Sequence, residues 1–286
     1  MPTVSNPAGL NPAGRYRCGV LGHPIRHSLS PVMHRAAYTQ LGLDWEYDAY
    51  DVDLPGLAGF LGSCGPQWRG LSLTMPLKRA VLPLLNRRSA LTHRVGVANT
   101  VVFEDGVLHG HNTDVAGVAG ALGESGMDAV RTAVLVGAGA TADSVFVALQ
   151  DLGLRRLHVA VRDPERAGPF VGRASSAGVQ VTVGALADLA ADAPQDLDLM
   201  VSTVPGSADT GVDNALLSRT RLVLDVAYDP WPSPLLTRAS AAGAGTVDGV
   251  TMLAYQAQRQ VGLMTGRDVR VDVLRTAART SLESRR

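Results

Sequence analysis

Five short runs of β-favouring residues recur through the second half of the chain: Thr132–Val136, Leu157–Val161, Val179–Val183, Leu199–Thr203 and Leu222–Val226. Each is almost uninterruptedly apolar, and helical stretches separate them. A strand with no polar face must be covered on both sides, which is the condition of a parallel strand in a doubly wound sheet. The pattern predicts a Rossmann-like α/β domain over 116–249.

The first run passes into Gly137-Ala138-Gly139-Ala140-Thr141-Ala142 and then into a helical stretch ending near Leu152. Strand, glycine turn and helix stand in the order a dinucleotide site needs. Glycine lets the backbone approach a pyrophosphate, which then lies at the positive end of the helix. Ala142 takes the place of the last glycine, as the pattern permits. A tight βα turn with no ligand is the plain alternative. The second run ends in Arg162-Asp163-Pro164-Glu165-Arg166. An acidic residue here suits the ribose hydroxyl of NAD, and arginine suits the 2′-phosphate of NADP. Asp163 before Pro164 is already a good helix N-cap. Arg162 and Arg166 therefore favour NADP, with NAD left open.

The first half alternates differently. Cys18–Leu21, Trp45–Asp51, Gly70–Thr74 and Thr100–Phe103 read as strands, and Pro31–Leu41 and Leu54–Leu61 as helices. Glu104-Asp105-Gly106 is a turn signal that joins Thr100–Phe103 to Val107–His111 in a hairpin. The expectation is an N-terminal α/β domain with a mixed sheet over 16–115. Beyond Gly249 only helices follow, Val250–Met264 and Val271–Glu283. With no sheet of their own to cover, these C-terminal helices are expected to pack back on the first domain, so that 250–286 completes it. Residues 1–15, rich in Pro, Asn, Gly and Ser, are expected to form a disordered tail.

Composition excludes several function classes. With 46% hydrophobic and 18% charged residues and zero formal net charge, the chain has the make-up of a globular protein and no overall field to draw it to nucleic acid or an anionic membrane. No export signal or bilayer-length apolar run is present, so a cytoplasmic protein is expected. Cys18 and Cys64 form no CxxC pair and are expected to be buried thiols. His109 and His111 alternate on a strand without a third ligand cluster nearby, so no metal is expected.

Lys78 is the chain's only lysine among 26 lysines and arginines. An ammonium can surrender and retake a proton where a guanidinium cannot, which makes Lys78 a candidate acid/base group. Three polar segments stand at strand edges upstream of the glycine turn: Gly22–Pro31 with Ser28 and Ser30, Ser72–Lys78 with Thr74, and Gly96–Thr100 continuing to Asn112-Thr113-Asp114. Each has a local explanation. Ser30 before Pro31 could cap a helix, Asp114 could cap the next one, and Asn99 could be a turn residue.

Together these segments resemble the shikimate dehydrogenase family, in family order and over nearly the whole chain from Cys18. Gly22–Pro31 is similar to its carboxylate loop, Ser72–Lys78 to its N-V-T-x-P-x-K segment, and Asn112-Thr113-Asp114 to its N-T-D. Asp225-Val226-Ala227-Tyr228 and Gly249–Gln256 resemble its D-x-x-Y and G-x-x-M-L-x-x-Q segments. Three residues depart from the pattern: Ser72 in place of asparagine, Ala140 in place of a third consecutive glycine, and His111 in place of aspartate.

The resemblance implies reversible reduction of 3-dehydroshikimate to shikimate by NADPH, within chorismate biosynthesis, by a monomer or homodimer. It implies Lys78 as proton donor and acceptor, with Asp114 holding the ammonium. Ser28, Ser30 and Tyr228 would bind the substrate carboxylate, and Thr74, Asn99, Asp114 and Gln256 the ring hydroxyls. Gly137 to Ala142, Arg162, Arg166, Thr203, Gly249 and Met252 would hold the cofactor. Two alternatives stand beside this reading: an NAD-preferring quinate/shikimate dehydrogenase, and a non-catalytic metabolite sensor of the same fold.

Overall fold

The computed structural model describes residues 15–208 and 210–285, and of Arg166 the backbone alone. The tail expected over 1–15 lies, Arg15 apart, outside the described residues. The chain divides into two compact units, Met1–Thr113 with Ala254–Arg286, and Asp114–Leu253. The division falls inside the helix Gly249–Thr265.

The first unit is built on β1 (Arg17–Gly22), β2 (Glu46–Asp51), β3 (Trp68–Leu73), β4 (Arg87–Arg88), β5 (Thr100–Glu104) and β6 (Val107–His111), in the order β2-β1-β3-β5-β6-β4. β1 runs parallel to β2 and β3, whereas β5 runs antiparallel to β3 and β6, so the sheet is mixed. The β5–β6 turn places Asp105 and Gly106 at φ of 50° and 75°, the left-handed pair a tight hairpin needs. Leu21, Leu71, Leu73 and Val101 pack with Leu57 and Leu61 of the helix Gly56–Ser63. β4 is only two arginines long, which leaves no apolar pattern to read. Cys18 is buried as expected, but Cys64 is only partly so.

The last helix, Val271–Glu283, buries Leu274, Ala278 and Leu282, one residue every four along a single face. It packs on the helix Ser30–Leu41, and Arg267 Nη1 donates to the Leu41 carbonyl at 3.0 Å. The terminal helices thus return to the first unit. Ser30 opens its helix rather than capping it: Leu29 holds the cap position, without a side-chain bond.

Fully buried His34 lies on that helix, stacked on Tyr47 with ring centroids 4.0 Å apart, and its Nδ1 donates to the Ser30 carbonyl at 3.0 Å. Burial pushes its pKa from 6.5 down to about 4. Between those values the unfolded chain binds a proton that the native chain does not, so stability falls as pH drops through this window. Wild type should lose on the order of 2 kcal/mol through His34 between pH 6.5 and pH 5. His111 and His158 are depressed by burial in the same direction. His34→Gln should therefore flatten, not abolish, the decline in urea-unfolding free energy over this range. An unaltered slope would assign the acid sensitivity to other groups.

The second unit carries β7 (Thr132–Val136), β8 (Arg156–Val161), β9 (Gln180–Ala185), β10 (Leu197–Ser202), β11 (Thr220–Asp225) and β12 (Gly245–Asp248). The order is β12-β11-β10-β7-β8-β9, with every pairing parallel. All five residues of β7 are buried, as in a strand covered on both faces. The edges differ: β9 is largely half-exposed, and β12 exposes two of its four residues. β12, made of Gly245-Thr246-Val247-Asp248, gives no continuous apolar signal and is a strand beyond the five legible in the sequence. Among the described residues no helix is long and apolar enough to cross a membrane.

Candidate active site

Strand order in the second unit reverses between β7 and β10, and a doubly wound sheet presents ligands beyond the carboxyl ends of its strands at such a point. A cleft of about 650 Å³ lies there, lined among others by Gly137, Ala138, Gly139, Arg162, Asp163 and Thr203. Gly137 has φ of +100°, and a Cβ on it would lie 2.6 Å from Thr203 Oγ1. Only glycine leaves this floor open. Thr203 Oγ1 donates to the Val136 carbonyl at 2.9 Å, fixing the facing wall to the end of β7. Gly139 takes the cap position of the helix Ala140–Asp151 without a side chain to bond its first amides. Ala140, Thr141 and Ala142 form that helix's first turn rather than the cleft lining, and Ala142 is wholly buried.

Arg162 is exposed at the end of β8, on the cleft. The Arg166 side chain lies outside the described residues. Asp163 Oδ1 accepts from the Glu165 amide at 3.2 Å at the head of a short helical turn, the capping role its sequence indicates. The glycine floor and the arginine at the second strand fit a dinucleotide bearing a 2′-phosphate. Gly249 and Met252 do not line this cleft. Gly249 has a packing reason of its own, because a Cβ there would collide with the Val226 carbonyl.

Tyr228 follows β11 on a loop anchored by Asp225. Asp225 Oδ1 accepts from the Ala227 amide at 3.2 Å, and Oδ2 from Ser233 Oγ. Burial raises the Asp225 pKa, and the hydrogen bonds from Ser233, Ala227 and Ser202 oppose that rise. Asp114, also in this unit, is buried at the first position of the helix Asp114–Glu124.

In the first unit, backbone hydrogen bonds gather the three polar segments at one sheet edge. The His23 amide donates to the Met75 carbonyl at 3.0 Å, and the Thr74 amide to Leu21 at 2.9 Å. The Leu73 amide donates to Asn99 at 2.8 Å, Asn99 to His111 at 3.1 Å, and Ala98 to the Lys78 carbonyl at 3.0 Å. These bonds bring together the strand ends that carry Thr74, Lys78 and Asn99 and the loop with Ser28 and Ser30. Lys78 and Thr74 are partly buried, while Ser30, Asn99 and Gln256 are buried. Ser28 Oγ accepts from the Ser30 amide at 3.3 Å.

Asn99 is not a simple turn residue. Its Oδ1 accepts from the Thr113 amide at 2.8 Å and from Thr100 Oγ1 at 3.0 Å. Its Nδ2 donates to Thr113 Oγ1 at 2.9 Å and to Gln256 Oε1 at 3.3 Å. Sequence reasoning missed the inner half of this network. Gln260 Nε2 donates to Thr100 Oγ1 at 2.9 Å, Ser72 Oγ to Gln260 Oε1 at 2.8 Å, and Tyr47 to Ser72 Oγ at 2.6 Å. Ser72, a departure from the family asparagine, thus bridges Tyr47 and Gln260. Gln260 could have been found, since it lies four residues beyond Gln256 on one helix face. Tyr47 carries no such signal. Among the described residues no group of three or more His, Cys, Asp or Glu side chains could hold a metal ion.

Residues 20–101 match the family described as shikimate dehydrogenase substrate binding domain, and residues 249–279 match the shikimate 5′-dehydrogenase C-terminal domain. A shikimate dehydrogenase (NADP(+)) of Moorella thermoacetica is 35% identical over 272 residues, covering 92% of this chain and 92% of its own. The crystal structure of shikimate 5-dehydrogenase from Thermus thermophilus in complex with NADP(H) and shikimate is 33% identical. It matches with a TM-score of 0.82 over 93% of this chain and 100% of its own. Quinate dehydrogenase from Corynebacterium glutamicum in complex with NAD is 31% identical, with a TM-score of 0.80 over 93% of this chain and 99% of that one.

Proposed function

The chain belongs to the shikimate dehydrogenase family, and from that premise we propose that it catalyses the reversible reduction of 3-dehydroshikimate to shikimate with NADPH. The observation that carries this reading is the joining, by backbone bonds of Leu21 and His23 to Thr74 and Met75, of Leu73 to Asn99 and of Ala98 to Lys78, of the strand ends that carry Thr74, Lys78 and Asn99 and open the loop to Ser28 and Ser30. Residues 16–115 with 250–286 then form the substrate domain and 116–249 the NADP domain. Gly137, Ala138, Gly139 and Thr203 would hold NADP along the cleft, with Arg162 and Arg166 on its 2′-phosphate. When bound, NADPH supplies the hydride.

The protein's task is the proton. Lys78 Nζ gives a proton to the oxygen at C3 during reduction and takes it back during oxidation. Asp114 holds the ammonium and a ring hydroxyl, while Thr74, Asn99 and Gln256 bind the remaining hydroxyls. Ser28, Ser30 and Tyr228 take the carboxylate. The NAD-preferring and sensor alternatives are not favoured: Lys78 and Asp114 are both retained, and Asp163 is occupied as a cap. Incubation with shikimate and NADP+ should yield NADPH and 3-dehydroshikimate in equal amounts. Binding of shikimate without turnover would instead support the sensor.

Cofactor choice gives a further expected result. A charge-assisted hydrogen bond is worth enough that Arg162→Ala should raise the KM for NADP+ by roughly 10- to 100-fold. NAD+, lacking the 2′-phosphate, should be used nearly as before. Equal losses with both cofactors would leave Arg162 with a general electrostatic role only.

A further inference from the structure

A carboxylate is buried in the second unit close to where a dinucleotide would need positive charge. Asp143 stands in the first turn of the helix Ala140–Asp151, its amide donating to the carbonyl of Gly139, the cap residue, at 3.3 Å. Asp143 is 3% exposed and every residue from Ala142 to Leu149 is buried, so bulk water does little to screen its charge. A helix N-terminus offers a pyrophosphate roughly half a positive charge. A full negative charge in the same turn outweighs that half charge. The compensating charge comes from the helix Gly168–Ser176, where Arg173 Nη2 donates to Asp143 Oδ1 at 2.5 Å. Arg173 does not line the cofactor cleft. The two helices also have an apolar contact of their own, Phe170 meeting Phe146 edge to face with centroids 5.8 Å apart.

We propose that Arg173 is a positioning residue for the dinucleotide: by neutralising Asp143 it keeps the helix end beyond Gly137–Gly139 positive enough to accept a pyrophosphate. The inference rests on the reading above that this cleft holds the cofactor. It deepens that reading with a residue outside the cleft lining. NADP and NAD share the pyrophosphate, so Arg173 serves both, whereas Arg162 serves the 2′-phosphate of NADP alone. The pyrophosphate is the same before and after hydride transfer. Ground state and transition state are therefore held alike, and the effect falls on the cofactor KM rather than on kcat.

Arg173→Met keeps an apolar stem and removes the charge. The KM for NADP+ and for NAD+ should rise together by roughly 5- to 30-fold, the size of one added charge acting on a nearby pyrophosphate through partial screening, with kcat and the KM for shikimate within about twofold. Adding Asp143→Asn to Arg173→Met should bring both cofactor KM values back to within about threefold of wild type, because the uncompensated carboxylate is then gone. A mechanical tether between the helices would stay lost in the double variant. A loss that persists there, a loss confined to NADP+, or no loss in Arg173→Met overturns the proposal. Asp143→Asn alone is the second variant, usable even if Arg173→Met fails to fold. It leaves Arg173 in place and should lower both cofactor KM values by roughly 2- to 5-fold; raised or unaltered values count against the proposal. Absence of turnover by wild type with either cofactor would sink the reading of the cleft instead, whereas normal wild-type turnover with an unaltered Arg173→Met sinks this inference alone.

Discussion

Lys78→Met should lower kcat for shikimate oxidation by roughly 100- to 10,000-fold, the range over which a positioned acid or base contributes. KM should move far less, because the proton transfer matters chiefly in the transition state. Lys78→Arg should fail almost as badly. It keeps the positive charge and much of the reach, but a guanidinium does not surrender a proton at working pH. The pair separates two roles that one substitution would confuse. If arginine restored turnover, Lys78 would be acting as a fixed charge; near-normal kcat in Lys78→Met would remove it from the chemistry altogether.

Substrate choice is the second large effect. Quinate carries a hydroxyl on the carbon that bears the carboxylate, so the groups around that carboxylate must accommodate the extra oxygen or reject it. A site whose buried polar groups are satisfied by one ligand discriminates strongly against a ligand that leaves them unpaired, whereas trimming by shape alone does less. Ser30 is only 6% exposed, so this wall has little freedom to adjust. We expect kcat/KM for shikimate to exceed that for quinate by at least about 100-fold. Ser30→Thr should narrow the gap if this loop sets the choice. Equal oxidation of both acids by wild type would refute the account of the carboxylate loop and leave the broader quinate/shikimate activity in its place.

The centre of the second sheet was legible because β7, β8, β10 and β11 are buried on both faces, and a buried parallel strand writes itself as an unbroken apolar run. Its edge strand β12 was not, because exposure on both faces lets Gly245, Thr246 and Asp248 stand where an inner strand would need Val or Ile. In the first unit the same logic hid β4, held by pairing with β6 rather than by apolar burial. The glycine turn was readable from local chemistry, yet that Gly137 must be glycine follows from Thr203, 66 residues away in sequence, whose side chain would meet its Cβ. The polar segments of the first unit announced themselves as clusters at strand edges. What they could not announce was Tyr47, a single aromatic on β2 whose hydroxyl reaches Ser72 on β3 only through the packing of three parallel strands. Ser30 marks a different gap: its position before Pro31 suggested a cap, while the helix in fact begins at Ser30 itself and Leu29 takes the cap position.

The most direct measurement is steady-state oxidation of shikimate with NADP+ and with NAD+ side by side, on the same preparation of wild-type protein. An NADP-dependent shikimate dehydrogenase with Arg162 on its cofactor cleft should turn over with both and favour NADP+ in kcat/KM by at least about tenfold, the least that one charge-assisted hydrogen bond to the 2′-phosphate supplies. Turnover that favours NAD+, or none with either cofactor, would contradict it.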